Sequence, residues 1–153
     1  MDFNDFNVYN AKDHILGRLA SRVAKELLSG KKVAVVNARY AVITGSKGAI
    51  VSKYRTRLNL QEKENPEHSP YWSRRPDMLF KRIVRGMLPY RKPHGKSAYK
   101  RLRVFQLMPE GLKGFKQEAI ESKDLKDIYV NHITLGELSK LLGYEKGNGD
   151  ING

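Results

Sequence analysis

The stretch VYNAKDHILGRLASRVAKELLSGKKVAVVNA, residues 8–38, decides the fold. It follows from a short apolar strand, Phe6 to Tyr9. Leu16, Leu19, Ala20, Val23, Ala24, Leu27 and Leu28 then recur at three- and four-residue spacing, which lines one face of a helix. Arg18, Arg22 and Lys25 project from the opposite face. Gly30 stands where a helix commonly stops on a left-handed residue. Lys32 to Asn37, centred on VAVV, reads as a buried strand. Strand, helix and strand in so short a span predict a right-handed βαβ unit in a largely parallel sheet. The fold class is α/β.

Beyond this unit, Ala41 to Thr44 is a third expected strand. Ser46 to Glu64 follows helical spacing, with Ile50, Val51, Tyr54 and Leu58 on one side. Asn65 to Pro76 holds three prolines and reads as a loop. Pro76 suits the first turn of a second clear helix. Its apolar face would be Leu79, Phe80, Ile83, Val84, Met87 and Leu88, and Pro89 ends it. A basic loop and short helix are expected over Tyr90–Leu102, then a strand at Arg103–Leu107. Met108 to Asp127 has no decisive pattern, and Ile128 to His132 fits an edge strand. Thr134 and Glu137 have the spacing of a capping box for a last helix to Leu142. There is no internal repeat or linker, so residues 1–153 are expected to form a single domain with a mobile tail from about residue 145.

A chain of 153 residues can bury a core without staples. Its net charge of +13 is unusual, and points to a polyanionic partner rather than a small-molecule substrate. Residues 72–103 hold 11 basic side chains and a single acid, whereas residues 104–153 hold 6 basic and 8 acidic ones. With no cysteine, disulfides and thiolate zinc sites are excluded. No apolar run approaches the roughly 18 residues of a membrane span, and Met1 to Asp13 lacks the layout of a signal peptide. A soluble intracellular protein with no membrane partner is expected.

The turn in AVITGSKGAIV, residues 41–51, suggests a dinucleotide loop but fails the test of spacing. GxGxxG needs glycine at position 47, which is Lys, and TGxxxGxG needs it at 49 and 51, which are Ala and Val. No P-loop motif is present either. The turn reads better as scaffold around Gly45, or as a helix N-terminus that with Lys47 meets a nucleic-acid phosphate. His14, His68, His94 and His132 lack metal-ligand spacing, and Ser21, Ser46 and Ser73 lack a nucleophile context. No metal, cofactor or catalytic residue is expected.

The basic third carries the functional signal. Cationic residues persist from Arg74 to Arg103 through loop, helix and loop, with Tyr71, Trp72, Tyr90 and Tyr99 interleaved. Such aromatics either stack on bases or pack beneath the surface. The arginine fork suits phosphate better than a point charge does. Arg74, Arg75, Lys81, Arg82, Arg85, Arg91, Lys92, Lys96, Lys100 and Arg101 are the candidate RNA contacts, with Arg18 and Lys47 beside them. Specificity is expected from RNA shape more than from base reading.

Residues 8–38, VRGMLP at 84–89 and GKSAYKRLRVF at 95–105 together resemble the universal large-subunit ribosomal protein thirteen family in its archaeal/eukaryotic form. GRLAS and RGMLP are its specific signatures, and the match is good from about residue 8 to 109. The resemblance implies a three-layer α/β/α domain with a short, mainly parallel sheet. It implies a non-enzymatic constituent of the large ribosomal subunit that binds rRNA, joins early in assembly and neighbours other large-subunit proteins. Carried over, Arg85, Gly86, Met87, Leu88 and Pro89 match the RNA-facing signature, and Gly95 and Lys96 the loop after it. Within these, Arg85 is the expected contact, Met87 and Leu88 are expected in the core, and Pro89 aims the basic loop. Asn10, where the family often has Asp, and Leu107, where it usually has Gly, Asp or Asn, depart from the pattern. Two rivals remain open at this point: a nucleotide-dependent enzyme using the Thr44–Ala49 turn, and a free RNA-binding regulator of translation.

Overall fold

The computed structural model describes residues 3–118 and 130–144. Strand β1 (Phe6–Asn10) leads into helix α1 (Leu16–Leu28) and strand β2 (Lys32–Val36). The two strands are parallel, in register from Phe6 opposite Lys32 to Asn10 opposite Val36. Strand β4 (Leu102–Val104) lies parallel along β2, and β5 (Gln117–Glu118) parallel along β1, giving the order β4-β2-β1-β5. The βαβ unit is therefore the centre of the sheet, as its sequence requires.

A parallel sheet must be covered on both faces. Tyr9, Val33 and Val35 turn to one side and are buried with Leu19, Val23 and Leu27 of α1. Helix α3 (Pro76–Met87) packs on α1 and contributes Leu79, Phe80 and Val84 to the same core. Helix α4 (Pro93–Lys100) also leans on α1 and adds Ala98. Val8, Ala34 and Val36 turn to the other side, under Leu112, Phe3, Phe6, Phe105, Met108 and Phe115. That third layer is thin: among the described residues it is a 3₁₀ turn at Glu110–Leu112 and a fringe of phenylalanines.

Strand β3 (Val42–Thr44) forms where expected but joins a different sheet. It pairs antiparallel with β6 (His132–Thr134), Ile43 opposite Ile133, as a separate two-stranded ribbon. Only residues 37–41 separate β2 from β3, far short of the dozen needed for a parallel crossover. Asn37, in the left-handed region at φ 58°, and a 3₁₀ turn at Ala38–Tyr40 turn the chain out of the main sheet. Of the expected edge strand Ile128–His132, only His132 falls in β6, and residues 130 and 131 are not in strand; residues 128 and 129 lie outside the described residues, as does the tail from 145. Helix α5 (Leu135–Leu141) follows, its cap made by Thr134 Oγ1 accepting from the Glu137 amide at 3.2 Å. The reciprocal half of the capping box is absent because the Glu137 carboxylate pairs with Lys47 instead.

Helix α2 (Lys47–Asn59) is shorter than its expected span: Leu60, its C-cap, is extended and exposed instead of anchored, and residues 61–64 are polar. Only Ile50 and Tyr54 of this helix are buried. Its entry turn needs a glycine: Gly45 has φ +131°, its amide donates to Asn131 O at 2.7 Å, and a Cβ there would stand 3.4 Å from Ile50 Cδ1. This turn is scaffold linking ribbon and helix.

One buried acid was not foreseen. Glu26 lies on α1 and receives hydrogen bonds from Tyr9 Oη at 2.7 Å and Asn7 Nδ2 at 3.0 Å. Arg22 and Lys31 stand 3.7 and 3.9 Å away. The carboxylate thereby ties α1 to β1. Burial alone would raise its pKa, but the hydrogen bonds and the two cations outweigh it and hold the carboxyl below its ordinary value. The Tyr9 hydroxyl is pushed up to about 12, by burial first and then by Glu26. A depressed folded-state pKa stabilises the protein above the unfolded carboxylate range, and that stability is lost as pH falls through the folded value. Glu26→Gln should therefore cost stability at neutral pH and flatten the acid limb of the profile. Thermal melts from pH 7 to 3 will show it; parallel profiles for both proteins would contradict it.

Candidate nucleic-acid interface

Helix α3 owes its two faces to its sequence. Leu79, Phe80 and Val84 are buried, and Lys81, Arg82 and Arg85 are half-exposed on the flank. The arginines do not wave freely. The Arg82 guanidinium lies 5.0 Å from the Trp72 ring centroid, and that of Arg85 4.0 Å from Tyr90. Lys81 Nζ sits 5.5 Å from the Tyr99 ring, and Tyr90 meets Tyr99 edge to face at 5.4 Å. Burial first, and then the charge of Arg103, hold the Lys81 ammonium below its ordinary pKa, against the pull of Asp77. The interleaved aromatics are thus the floor on which the cations rest.

Arg57 belongs to this array although the sequence reading passed over it. It reaches across from α2 to lie 4.8 Å from Trp72 and 5.2 Å from Tyr54, which itself meets Trp72 edge to face. Its spacing of three residues from Tyr54 on one helix was the available signal. Trp72 therefore carries a guanidinium from each of two helices.

Past Met87 the chain turns at Leu88–Lys92, where the Tyr90 amide bonds Leu88 O and the Lys92 amide bonds Pro89 O. Arg91 and Lys92 are exposed on this turn, and Lys96 and Lys100 on α4. Between α3 and the turn runs an open groove of about 630 Å³ lined by Trp72, Arg82, Arg85, Gly86, Leu88, Pro89, Tyr90, Arg91 and Lys92. No acid lines it. A second hollow of about 440 Å³ shares Trp72 and continues through Arg74 and Arg75.

The remaining expected contacts are placed differently. Arg101 is turned inward: its Nη2 donates to Leu27 O at 2.8 Å, and its Nε is buried without a partner. It gives a second, charged donor to a carbonyl at the end of α1 that also accepts from the Gly30 amide at 3.2 Å. Lys47 is ion-paired with Glu137, which fixes α2 to α5. Arg75 grips Asp77 with Nε at 3.2 Å and Nη2 at 3.1 Å, at the first turn of α3. Arg74 is exposed in the second hollow, and Arg18 is exposed on α1 outside both. Met87, expected in the core, is 41% exposed because α3 ends on it, while Leu88 is buried as expected.

Chemically, the arrangement presents fixed cations with ring faces between them. Stacking a guanidinium on a ring leaves its N–H edge available for phosphate oxygens. No three His, Asp or Glu side chains among the described residues are placed to hold a metal. No helix among the described residues is long and apolar enough to cross a membrane.

Comparison with known proteins agrees with this chemistry. The family model for ribosomal protein L13 matches residues 4–110, which contain the βαβ unit, the groove and β4. The large ribosomal subunit protein uL13 of Archaeoglobus fulgidus is 45% identical over 143 residues, covering 92% of this chain and 90% of that relative. Its counterpart in Halobacterium salinarum is 42% identical over 93% of this chain and 94% of its own. That of Methanopyrus kandleri is 37% identical over 97% and 94%. The chain belongs to the ribosomal protein L13 family, whose members are structural components of ribosomes and not enzymes.

Proposed function

We propose that this single-domain chain is a structural constituent of the large subunit of the cytoplasmic ribosome, bound to large-subunit rRNA through the groove between α3 and the Leu88–Lys92 turn. The carrying observation is the row Arg57, Trp72, Arg82, Arg85 and Tyr90: Arg82 and Arg85 lie over rings in a groove lined by no acid among the described residues, and Arg57 lies over Trp72 beside it. Arg91, Lys92, Lys96 and Lys100 extend the charge onto α4, and Arg74 extends it the other way. Arg101 and Lys47 act within the fold instead. The names of the relatives supply the particle, and the groove supplies the means of attachment.

Pre-stacked arginines lose little rotamer freedom on meeting phosphate, so more of each contact appears as affinity. The groove has cations but few groups suited to base edges, which favours recognition by RNA shape. A face already rigid before binding can neutralise phosphates as RNA segments first crowd together, supporting early subunit assembly. The acidic C-terminal third is suited to neighbouring proteins or solvent.

Sedimentation of the native chain from lysate through sucrose gradients, at low and at high salt, tests the reading. About one copy per large subunit, retained in high salt, is the expected result. A free 17.5 kDa species in both gradients would favour a regulator acting off the ribosome.

A further inference from the structure

We propose that the hollow beside Trp72 captures one unpaired RNA base, stacked on Tyr71 with its phosphate held by Arg74. The proposal rests on the rRNA-binding reading above and adds the class of RNA element that the surface selects. Tyr71 is 83% exposed, although its neighbour Trp72 is pinned between Arg57 and Arg82. The loop carrying it is held on the far side as well: Ser73 Oγ accepts from the Arg75 amide at 3.2 Å, and Arg75 grips Asp77. A fixed frame thus presents a bare aromatic face to solvent.

The hollow of about 440 Å³ is lined by Tyr71, Leu58, Pro70 and Arg74 and by no acid among the described residues. That volume lies within the range of ligand pockets and admits a single nucleotide. Arg74 has no hydrogen bond, ion pair or ring contact with the described residues, so its fork is available to a phosphate. The flanking cations favour a nucleic-acid base over an apolar protein side chain. The hollow shares Trp72 with the groove assigned to rRNA. Paired bases are stacked inside their helix and cannot reach an aromatic platform, whereas a bulged or looped base can. One base–aromatic stack at this point would add a local mark to a surface that otherwise reads shape.

The test uses the full chain and three labelled RNAs: a fully paired hairpin, the same hairpin with one bulged adenosine, and that bulge made abasic. Fluorescence anisotropy at fixed salt gives each Kd. The wild type should prefer the bulged adenosine to the abasic bulge by about tenfold, the size expected of one stack. Tyr71→Ala should abolish that preference and Tyr71→Phe should keep it. Equal affinity of the wild type for both bulges, or a preference that survives in Tyr71→Ala, would overturn the base-capture proposal. Joint replacement of Arg82 and Arg85 by alanine separates the two claims. A loss on all three RNAs with no Tyr71 effect leaves the rRNA reading standing without base capture, whereas no binding by the wild type to any of them overturns both.

Discussion

Replacing Arg82 and Arg85 together by alanine is expected to weaken rRNA binding by roughly 10- to 100-fold near 0.1 M salt. Each phosphate contact contributes about 0.7 to 0.9 to the slope of log K against log salt, so the slope should flatten by about 1.4 to 1.8. Both guanidinium groups lie on rings at the groove wall, outside the buried core, so the melting temperature should move little. Lys47→Ala and Arg101→Ala are the informative controls. Each removes a cation that acts within the fold, so the slope should hold. Arg101→Ala should in addition lower stability, by taking a charged donor from Leu27 O and leaving it to the Gly30 amide. Filter-binding titrations from about 50 to 200 mM salt give both quantities. An unchanged slope in the double variant would place the RNA surface elsewhere.

Gly95→Ala should have the largest effect on the fold relative to its size. A Cβ at Gly95 would stand 2.1 Å from Pro89 O, 2.3 Å from Pro89 C and 2.9 Å from Tyr90 N. All three are backbone atoms, so no side chain can swing aside, and either α4 or the basic turn must move. Overpacking of this kind costs about 1 to 3 kcal/mol. In a domain of this length that corresponds to a fall in Tm of roughly 3 to 10 °C. Because the turn carries Arg91 and Lys92, rRNA affinity should fall with it. Gly86→Ala is the contrast, since nothing lies within 4 Å of its Cβ position and helical alanine is favoured over glycine. Melts and binding curves of the two variants check the pair; equal behaviour would show that the approach at Gly95 is not rigid.

The βαβ centre was legible because its information is local: apolar spacing fixes the face of α1, and VAVV fixes a buried strand. The partner of β3 was not, because a short apolar strand carries no mark of which edge it will join. Only the brevity of residues 37–41 argued against the parallel sheet. At the site, Arg82 and Arg85 could be placed from helical spacing alone. Arg101 could not, since a basic residue among basic neighbours reads the same whether it meets water or the end of α1. Arg57 comes from another helix, and its place beside Trp72 exists only after folding. Glu26 was invisible for a similar reason: its donors Asn7 and Tyr9 lie on a strand 19 and 17 residues away. Met87 follows the apolar spacing of α3, but the helix ends there and leaves it exposed.

Ultraviolet cross-linking of purified large subunits, followed by mass spectrometry of the peptides of this chain, tests the central claim most directly. Nucleotide adducts should concentrate between Trp72 and Lys92, with Trp72 and Tyr90 among the modified residues. Adducts confined to β3, β6 and α5, with none between Trp72 and Lys92, would contradict the assignment of this groove to rRNA.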